Sequence, residues 1–327
     1  MDWSNKKILV TGAGGFIGSH LAEQIVLKGG SVRALVHYNA MGRWGWLDTS
    51  DYLSEIEVIP GDITDKDSFS KALDGIDIVF HLAALIGIPY SYRAPRSYVD
   101  TNVIGTLNVL QSALDQNIDL VVHTSTSETY GSAQYIPIDE EHPLLGQSPY
   151  SASKIGADKL AESFNRSFNL PVVTVRPFNT YGPRQSARAV IPTIVTQVLT
   201  QGWVNLGNLH PTRDLNYVID TTRGFMSAAE HPEAVGEVIN LGTGHEISIG
   251  ELARMIFRLM GKEEEIRADT DRARPQASEV DRLCADITKA REILDWSPSY
   301  SLEDGLLETI DWIRNHLQYY KPSLYNI

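Results

Sequence analysis

The sequence has little cysteine, few basic residues relative to acidic ones, and no long apolar run. Its one cysteine, Cys284, cannot form an intramolecular disulfide. The chain leads from Met1 through Lys6 and Lys7 into a strand-like segment, without the apolar core of a signal peptide, so we expect a cytoplasmic protein. No apolar segment approaches the roughly 20 residues that cross a bilayer, and no membrane span is expected.

The charge balance and the histidine spacing exclude two further classes. A formal net charge of −13 argues against a general nucleic-acid binder, which needs a basic surface. An anionic substrate must therefore be held by local arginines. The 9 histidines form no HxH or HxxxH pair and no CxxC is present, so no metal site is expected.

Short apolar strands alternate with amphipathic helices through the first half of the chain. Helical periodicity is clear in Tyr98–Leu114 and Tyr150–Phe168. Near-continuous apolar strands are typical of a parallel sheet covered on both faces, so we predict a doubly wound α/β Rossmann fold. The predicted strands are Ile8–Val10, Val32–Val36, Ile56–Ile59, Ile78–Leu82, Leu120–His123, Val172–Val175 and Glu237–Leu241.

The alternation breaks after Pro177, where glycine and proline interrupt short segments. We predict a cofactor-binding domain over residues 1–178 plus about 218–244, and a smaller, non-contiguous α/β substrate-binding lobe over 179–217 and 245–327. Ser301, with Asp304 three residues on, is expected to cap a last helix whose apolar face includes Leu306 and Leu317.

A glycine-rich turn joins the first strand to the first helix. Gly12, Gly15 and Gly18 have the spacing that allows a tight turn and a close approach of the backbone to a pyrophosphate at the helix N-terminus. An ordinary strand-to-helix loop is the alternative, but the βαβ setting favours a dinucleotide site.

The residues after the second strand leave NAD and NADP open. NAD-preferring proteins usually carry a carboxylate there, whereas this chain has His37, with Arg33 and Arg43 nearby. Asp62, after the third strand, is expected either to accept a hydrogen bond from the adenine amine or to cap the following helix.

Tyr150 and Lys154 lie four residues apart on one predicted helical face. A neighbouring ammonium is expected to lower the pKa of a tyrosine from about 10 toward neutrality, as a general base requires. The segment Thr124–Gly131, TSTSETYG, follows the fifth strand and so lies at the carboxyl edge of the sheet, where ligands of this fold bind.

The segments TGAGGFIGSH, HLAA, TSTSETYG, PYSASK and RPFNTYGPR, in this order, resemble the extended short-chain dehydrogenase/reductases that modify nucleotide-sugars. The resemblance implies that Thr126 hydrogen-bonds the sugar 4-hydroxyl, Tyr150 takes its proton, and Lys154 tunes Tyr150 and holds the nicotinamide ribose. The residues expected to contact the cofactor are Gly12, Gly15, Phe16, Ile17, Gly18, His37, Asp62, Ile63, Leu82, Ala83, Ala84, Tyr150 and Lys154.

Glu128 is the residue that discriminates among the subfamilies. The resemblance implies that a glutamate at this position removes the C5 proton in 4,6-dehydratases. Epimerases usually have a small or neutral residue at the same position. Many dehydratases have Asp-Glu here, but this chain has Ser127-Glu128, as do GDP-mannose and legionaminic-pathway dehydratases and UDP-glucuronate decarboxylases. Glu128 itself is then a candidate acid for loss of the C6 hydroxyl; a solvated loop carboxylate is the alternative.

Five residues are expected to hold the nucleotide diphosphate, because arginine's planar fork suits phosphate oxygens. The resemblance favours Asn179, Arg213 and Arg274, while Arg184 and Arg188 have surface ion pairing as an equal alternative.

The segments VHYNAMGRWGWLD and GPRQSARAVIPTIVTQ resemble the NAD-dependent 4,6-dehydratases called LegB, which act on a nucleotide-linked N-acetylglucosamine. This implies NAD, with NADP possible, and leaves UDP against GDP open. UDP-glucuronate decarboxylase, 4-epimerase and dehydratase/5-epimerase are the enzyme alternatives; a redox-sensing NAD(P)-binding protein is the non-enzyme one. Surplus aromatic and small residues on the two long helices predict a homodimer.

Overall fold

The central sheet has seven parallel strands, and the computed structural model describes residues 1–269 and 279–320 of the chain. The strand order is β3-β2-β1-β4-β5-β6-β11, the doubly wound arrangement that the sequence predicts. Every neighbouring pair is parallel, so all seven carboxyl ends lie at one edge. The strands are Lys7–Thr11 (β1), Ser31–Val36 (β2), Ile56–Pro60 (β3), Ile78–His81 (β4), Leu120–Thr124 (β5), Val172–Pro177 (β6) and Val238–Leu241 (β11).

Helices cover both faces because alternate residues of the strands point to opposite sides. On β1, Ile8 and Val10 enter the core shared with the first and eighth helices, whereas Leu9 enters the core on the other face. The helices are Phe16–Leu27 (α1), Lys66–Ala72 (α2), Ile88–Arg93 (α3), Pro95–Tyr98 (α4), Gly105–Asp115 (α5), Pro149–Phe168 (α6), Val190–Gln201 (α7), Val218–Glu230 (α8), Ile249–Leu259 (α9), Thr288–Leu294 (α10) and Leu302–Asn315 (α11).

A second hydrophobic core lies among α7, α9 and α11 and forms the smaller lobe. Three two-stranded sheets complete this lobe and its junction with the first. Their strands are Asn179–Tyr181 (β7) with Leu215–Tyr217 (β10), Val204–Leu206 (β8) with Ile266–Ala268 (β13), and Thr212–Arg213 (β9) with Ile247–Ser248 (β12).

The two cores draw on different parts of the chain, and the predicted domain boundaries stay a prediction. Leu283, Ile287 and Leu294 belong to the core of the first lobe, although residues 245–327 were expected in the second. The reason is that α10 packs against α8 and β11. The apolar residues of 280–296 thus extend the face of the large sheet.

Three predicted elements have different limits. β4 ends at His81 rather than Leu82, and the predicted helix Tyr98–Leu114 contains a π-helical turn over Val99–Ile104. Ser301 caps α11 through the Asp304 amide (3.1 Å), as expected, but the helix ends at Asn315 and Leu317 lies in a short 3₁₀ turn beyond it. Among the described residues, no helix has the length and apolar character to cross a membrane.

Candidate active site

The catalytic helix α6 begins with a complete N-terminal cap. The Ser148 hydroxyl accepts a hydrogen bond from the Ser151 amide (3.1 Å), the Ser151 hydroxyl returns one to the Ser148 amide (2.9 Å), and Pro149 occupies the first turn. This start places Tyr150 in the first turn and Lys154 one turn later. Both side chains are buried, with exposed fractions of 7% and 4%.

The turn after β5 brings the other predicted catalytic residues to the same edge of the sheet. Ser127–Tyr130 form a 3₁₀ turn, which Thr126 caps by accepting from the Glu128 amide (3.3 Å). Gly131 ends the turn with φ of 65°, a conformation that favours glycine. Ser127 is buried, whereas Glu128 is half-buried.

Tyr150 meets the predicted residues Thr126 and Glu128, but its acidity differs from the expectation. Burial raises the pKa of Tyr150 above its usual value; the hydrogen bond with Thr126 lowers it, and the negative charges of Glu128 and Asp158 raise it. The expected lowering is therefore wrong for the chain alone. The physical reason is that desolvation of the phenolate outweighs the hydrogen bond.

Lys154 points to the end of β5, where its ammonium donates to the carbonyl oxygen of Thr124 (2.6 Å). Burial lowers the pKa of Lys154 to about 8, and the carboxylate of Asp158 opposes that shift. The lysine thus titrates close to the physiological range.

The glycine turn makes a close-packed cradle that fits a dinucleotide pyrophosphate. Gly12 has φ of +70°, and a Cβ there would lie 2.9 Å from the Ala83 amide nitrogen. A Cβ on Gly14 would lie 2.6 Å from the Trp44 carbonyl oxygen. A Cβ on Gly18 would collide with the carbonyl oxygen of Gly12. Gly15 is the N-cap of α1. A glycine turn of this form leaves the backbone amides at the helix start available to phosphate.

A buried threonine and histidine hold the cradle against β4. The Thr11 hydroxyl accepts from the Leu82 and Ala83 amides (3.0 Å each) and lies 3.0 Å from His81 Nδ1. Burial lowers the pKa of His81, so its ring is neutral; Thr11 donates to Nδ1, and Nε2 donates to the Thr106 hydroxyl (3.0 Å). The predicted cofactor residues Leu82, Ala83 and Ala84 therefore follow β4 directly beneath the glycine turn.

The residues expected at the adenosine end also lie at this edge. His37 is exposed, with Nε2 3.4 Å from Asp62 Oδ2. Asp62 accepts from the Thr64 amide and hydroxyl (2.8 Å each), and it is not the helix cap, because Asp65 caps α2 instead. The Arg33 guanidinium is bound by Glu57 and by two backbone carbonyls, so it is committed elsewhere.

Three further predicted cofactor residues also have packing roles. Phe16 and Ile17 open α1 and pack against the second core. The Ile63 side chain is buried against Gly105 at the start of α5, so only its backbone is left for a cofactor contact.

Two of the predicted substrate residues lie on short strands of the second lobe. Asn179 begins β7, and its Oδ1 is buried without a hydrogen-bond partner among the described residues, as expected of an atom that meets a ligand. Arg213 ends β9, donates to the Thr212 and Val280 carbonyl oxygens (2.8 Å each), and lies 3.6 Å from Glu279.

The other predicted arginines contact different parts of the molecule. Arg184 pairs with Glu23 (2.8 Å) and donates to the Ser19 hydroxyl (3.2 Å), which binds it to α1. Arg188 instead reaches Gly87, where an added Cβ would lie 2.7 Å from its Nη1. Arg274 lies outside the described residues.

Sequence reasoning missed two residues that shape the wall beside Tyr150. Asn102, in the π-helical turn, accepts from the Leu85 amide (2.8 Å) and donates to the Leu85 carbonyl (2.9 Å) and the Ser153 hydroxyl (2.9 Å). Tyr98 donates to the Gly87 carbonyl (2.5 Å) and packs edge-on against Tyr150 at 6.2 Å. No spacing in the sequence indicates either residue. In the structure, Asn102 lies within the π-helical turn and Tyr98 directly precedes it, and such turns are frequent at functional sites.

No group of three or more potential metal ligands occurs in residues 1–269 and 279–320. The site therefore consists of a dinucleotide cradle, a Thr–Tyr–Lys constellation and a carboxylate at one sheet edge. This arrangement can exchange a proton with a hydroxyl next to a bound dinucleotide, and Glu128 adds a second acid–base group.

Comparison with known proteins agrees with that chemistry. The chain is 31% identical to a UDP-glucose 4-epimerase of Mycolicibacterium smegmatis, over 95% of this chain and 100% of that one. It is 33% identical to a UDP-N-acetyl-alpha-D-glucosaminuronate decarboxylase of Bacillus cytotoxicus (94% and 98%). The dTDP-glucose 4,6-dehydratase DesIV of Streptomyces venezuelae, solved with NAD bound, superposes with a TM-score of 0.88 at 31% identity (97% and 99%).

Fold and site together define an extended short-chain dehydrogenase/reductase of the nucleotide-sugar dehydratase and epimerase class. Residues 9–309 match the family described as GDP-mannose 4,6 dehydratase, and the chain belongs to that family.

Proposed function

We propose that the chain is an NAD-dependent nucleotide-sugar 4,6-dehydratase. The observation that carries the proposal is the position of Glu128, which lies in the 3₁₀ turn that Thr126 caps and is close enough to Tyr150 for its charge to raise the phenol's pKa. A carboxylate beside the C4 machinery is what a dehydratase requires and a 4-epimerase does not. NAD is supported by the glycine cradle and by the NAD-bound DesIV structure.

The chain's residues divide the work between C4 and C5. Tyr150 takes the proton of the sugar 4-hydroxyl, and Thr126 hydrogen-bonds the same oxygen. NAD, when bound, supplies the acceptor for the C4 hydride and its later return. The C4 ketone acidifies the C5–H bond, so Glu128 removes that proton and delivers it to the C6 hydroxyl, which leaves as water. Ser127 directly precedes Glu128 in the 3₁₀ turn, and its side chain is buried.

The substrate that we propose is a UDP- or GDP-linked N-acetylglucosamine, in agreement with the LegB-type resemblance of the sequence. Its diphosphate meets the second lobe at Asn179 and Arg213; Arg274 stays a prediction from the sequence, because it lies outside the described residues. Arg184 has its partners on α1, so we assign it to holding the two lobes together rather than to phosphate.

A second candidate activity is favoured by Arg188. Its guanidinium lies beside Gly87, next to the Tyr98 ring that packs on Tyr150. A cation at the sugar side of the site suits a C6 carboxylate, and one relative decarboxylates a nucleotide-linked uronate. Under this alternative the C5–C6 bond breaks, C6 leaves as carbon dioxide, C5 takes up a proton, and the product is a nucleotide-linked pentose.

We also propose a cytoplasmic homodimer that keeps its cofactor between turnovers. Three exposed apolar side chains on the two long helical segments support the dimer: Val99 and Ile104 in the π-helical turn before α5, and Phe168 at the end of α6. Light scattering that gives a monomer at micromolar concentration, or mostly NADP released on denaturation, would contradict these two points.

A panel of UDP-, GDP- and dTDP-sugars, each with a neutral and a uronate form, tests the activity by product mass. A dehydratase removes one water from an N-acetylhexosamine; a decarboxylase releases carbon dioxide from a uronate. An epimerase changes no mass, and a dehydratase/5-epimerase is recognised from the C5 configuration. A redox-sensing protein gives no product with any sugar.

A further inference from the structure

The four-residue spacing of Tyr150 and Lys154 continues to a third side chain, Asp158. Residues four apart on a helix share one face, so all three point from α6 toward the sheet. Asp158 is 5% exposed, as buried as the two catalytic residues. A buried carboxylate is stable only when it is paired and hydrogen-bonded, and its partners indicate its role.

Asp158 receives three hydrogen bonds from the strands beneath the site. His123 Nε2 lies 3.1 Å from Oδ1, whereas the Ser125 hydroxyl (2.6 Å) and Arg176 Nη2 (2.9 Å) donate to Oδ2. These partners belong to β5, to the turn after it, and to β6. Because Ser125 directly precedes Thr126, the carboxylate fixes the turn that carries Thr126 and Glu128.

Asp158 is also the anion one helical turn beyond the Lys154 ammonium. Lys154 is buried and donates a hydrogen bond to the Thr124 carbonyl oxygen. Because burial disfavours a charged ammonium, Lys154 depends on a nearby negative charge to remain a cation. The carboxylate of Asp158 raises the pKa of Lys154 against the effect of burial. The titratable and charged groups that interact with this pair directly are His81, His123, Tyr150 and Arg176. Tyr98 and Glu128 interact with Tyr150, and Tyr130 and Glu140 interact with Arg176.

Few of those neighbours can supply the negative charge that Asp158 provides beside Lys154. Burial lowers the pKa of both His81 and His123, so they are neutral, and Arg176, stacked 4.6 Å over Tyr130, is a cation. Glu140 accepts from the Asn240 amide (2.8 Å), on the far side of Tyr130 and Asn240. Asp158 is thus placed both to hold the catalytic turn and to balance Lys154.

We propose that Asp158 is a positioning residue that keeps Lys154 protonated and the Thr126 turn in place during C4 oxidation. The inference rests on the proposed use of Tyr150 and Lys154, a step common to the dehydratase, decarboxylase and epimerase alternatives. It does not depend on which of them is correct.

The experiment compares three variants of the full-length, NAD-loaded protein. Asp158→Asn removes the charge and keeps the shape, whereas Asp158→Glu keeps the charge. Asp158→Asn with Arg176→Gln removes both members of the buried ion pair and serves if the single neutral variant does not fold. The pKa of Lys154 is read from an isotope label at lysine Cε, assigned against Lys154→Arg, so this readout needs no substrate.

We expect Asp158→Asn to lower the pKa of Lys154 by about 1 unit, since an opposite charge at this range contributes that much or more. Because the pKa of Lys154 is about 8, the rate of C4 oxidation relative to wild type should be about fivefold lower at that pH than at about pH 6, where only the weakened support of the Thr126 turn acts. Asp158→Glu should leave the pKa of Lys154 and the position of the alkaline limb unchanged.

An unshifted Lys154 in the folded neutral variant, or a downward shift in Asp158→Glu, would overturn the proposal. A rate reduced equally at every pH would assign Asp158 a purely structural role and would overturn it as well. If no neutral variant folds, Asp158→Glu decides alone. Failure of the proposed dehydratase activity would appear separately, as a different product from the wild-type protein.

Discussion

The catalytic edge of the first lobe and the nucleotide side of the second lobe are built in different ways. At the catalytic edge, Tyr150 and Lys154 are buried and reach Thr126 and Thr124 at the end of β5. In the second lobe, the arginines diverge: Arg184 is bound to α1, whereas Arg188 reaches toward Gly87. The proposed catalytic residues are thus supported by the packed strands of the large sheet, whereas the proposed nucleotide contacts lie on short strands and the loops around them.

This difference explains why one family accommodates several reactions. The C4 machinery lies where parallel strands end, and its geometry follows from the sheet itself. In the second lobe, the proposed nucleotide contacts Asn179 and Arg213 lie on a three-residue and a two-residue strand, where sequence changes leave the main core intact. Relatives named as an epimerase, a decarboxylase and a dehydratase each match at least 94% of this chain.

The largest expected effect is on the catalytic edge. Tyr150→Phe removes the proton acceptor and should reduce turnover roughly 10²–10⁴-fold. Because the phenyl ring still packs against Tyr98, retained NAD and the melting temperature should stay at wild-type values. Tyr135→Phe is the matched control, since that tyrosine is exposed and donates only to Asp139. Comparable losses in both variants would contradict the assignment.

Glu128→Gln sharpens the comparison within the catalytic edge. Overall turnover should fall roughly 10²–10⁴-fold, because a positioned acid–base group is lost. C4 oxidation should survive and be visible as absorbance of the reduced nicotinamide. Glu141→Gln, at an exposed carboxylate in a nearby loop, is the control. Full dehydratase activity in Glu128→Gln would remove Glu128 from its proposed role.

The two arginines Arg184 and Arg213, both in the second lobe, should respond differently to substitution by lysine. Arg213→Lys keeps the charge but loses the planar fork, so we expect KM for the nucleotide-sugar to rise about tenfold, or about 1.4 kcal/mol, with kcat little changed. Arg184→Lys should lower the melting temperature through the lost Ser19 and Glu23 contacts and leave KM near wild type. Steady-state kinetics and thermal melts on both variants decide, and the reverse pattern would exchange the roles of the two arginines.

The smallest expected effect on turnover concerns the junction between the lobes. His20 on α1 lies 3.1 Å from the Pro183 carbonyl, and burial, with Arg184 adding to it, lowers the pKa of His20 from 6.5 to about 4. The neutral ring is favoured in the folded state, so stability is full above pH 6.5 and is lost as the pH falls toward 4.

Denaturant unfolding at several pH values should show this loss, of about 3 kcal/mol, in the wild type. The His20→Gln variant should not show it, whereas the exposed His245→Gln should behave like the wild type. An unchanged pH dependence in His20→Gln would place the titrating group elsewhere.

The sequence predicts the sheet and the position of Tyr150 and Lys154 on a helix well, because both follow from local patterns. The seven main strands are found within two residues of their predicted limits, and Tyr150 and Lys154 fall on α6 as expected. Asn102 could not be predicted, since its contacts depend on a π-helical turn inside a regular apolar repeat. The raised pKa of Tyr150 depends on burial in three dimensions, which the Tyr–Lys spacing does not report.

The substrate side shows the opposite limit of sequence reasoning. Arginine's chemistry predicts phosphate contacts, but which arginine is free depends on partners distant in sequence. Arg184 finds Glu23, which lies on the first helix, and the packing of residues 280–296 on the first lobe depends on α8 and β11. Such long-range pairings are fixed by the assembled core and not by spacing along the chain.

The path of hydrogen from C4 tests the central claim most directly. The substrate is a nucleotide-linked N-acetylglucosamine deuterated at C4, and the product is analysed by mass and magnetic resonance. A 4,6-dehydratase should give a 4-keto-6-deoxy sugar with the deuterium at C6, while a reaction in heavy water places solvent deuterium at C5. No added NAD should be consumed. Deuterium that returns to C4 with no loss of water would show an epimerase and contradict the account.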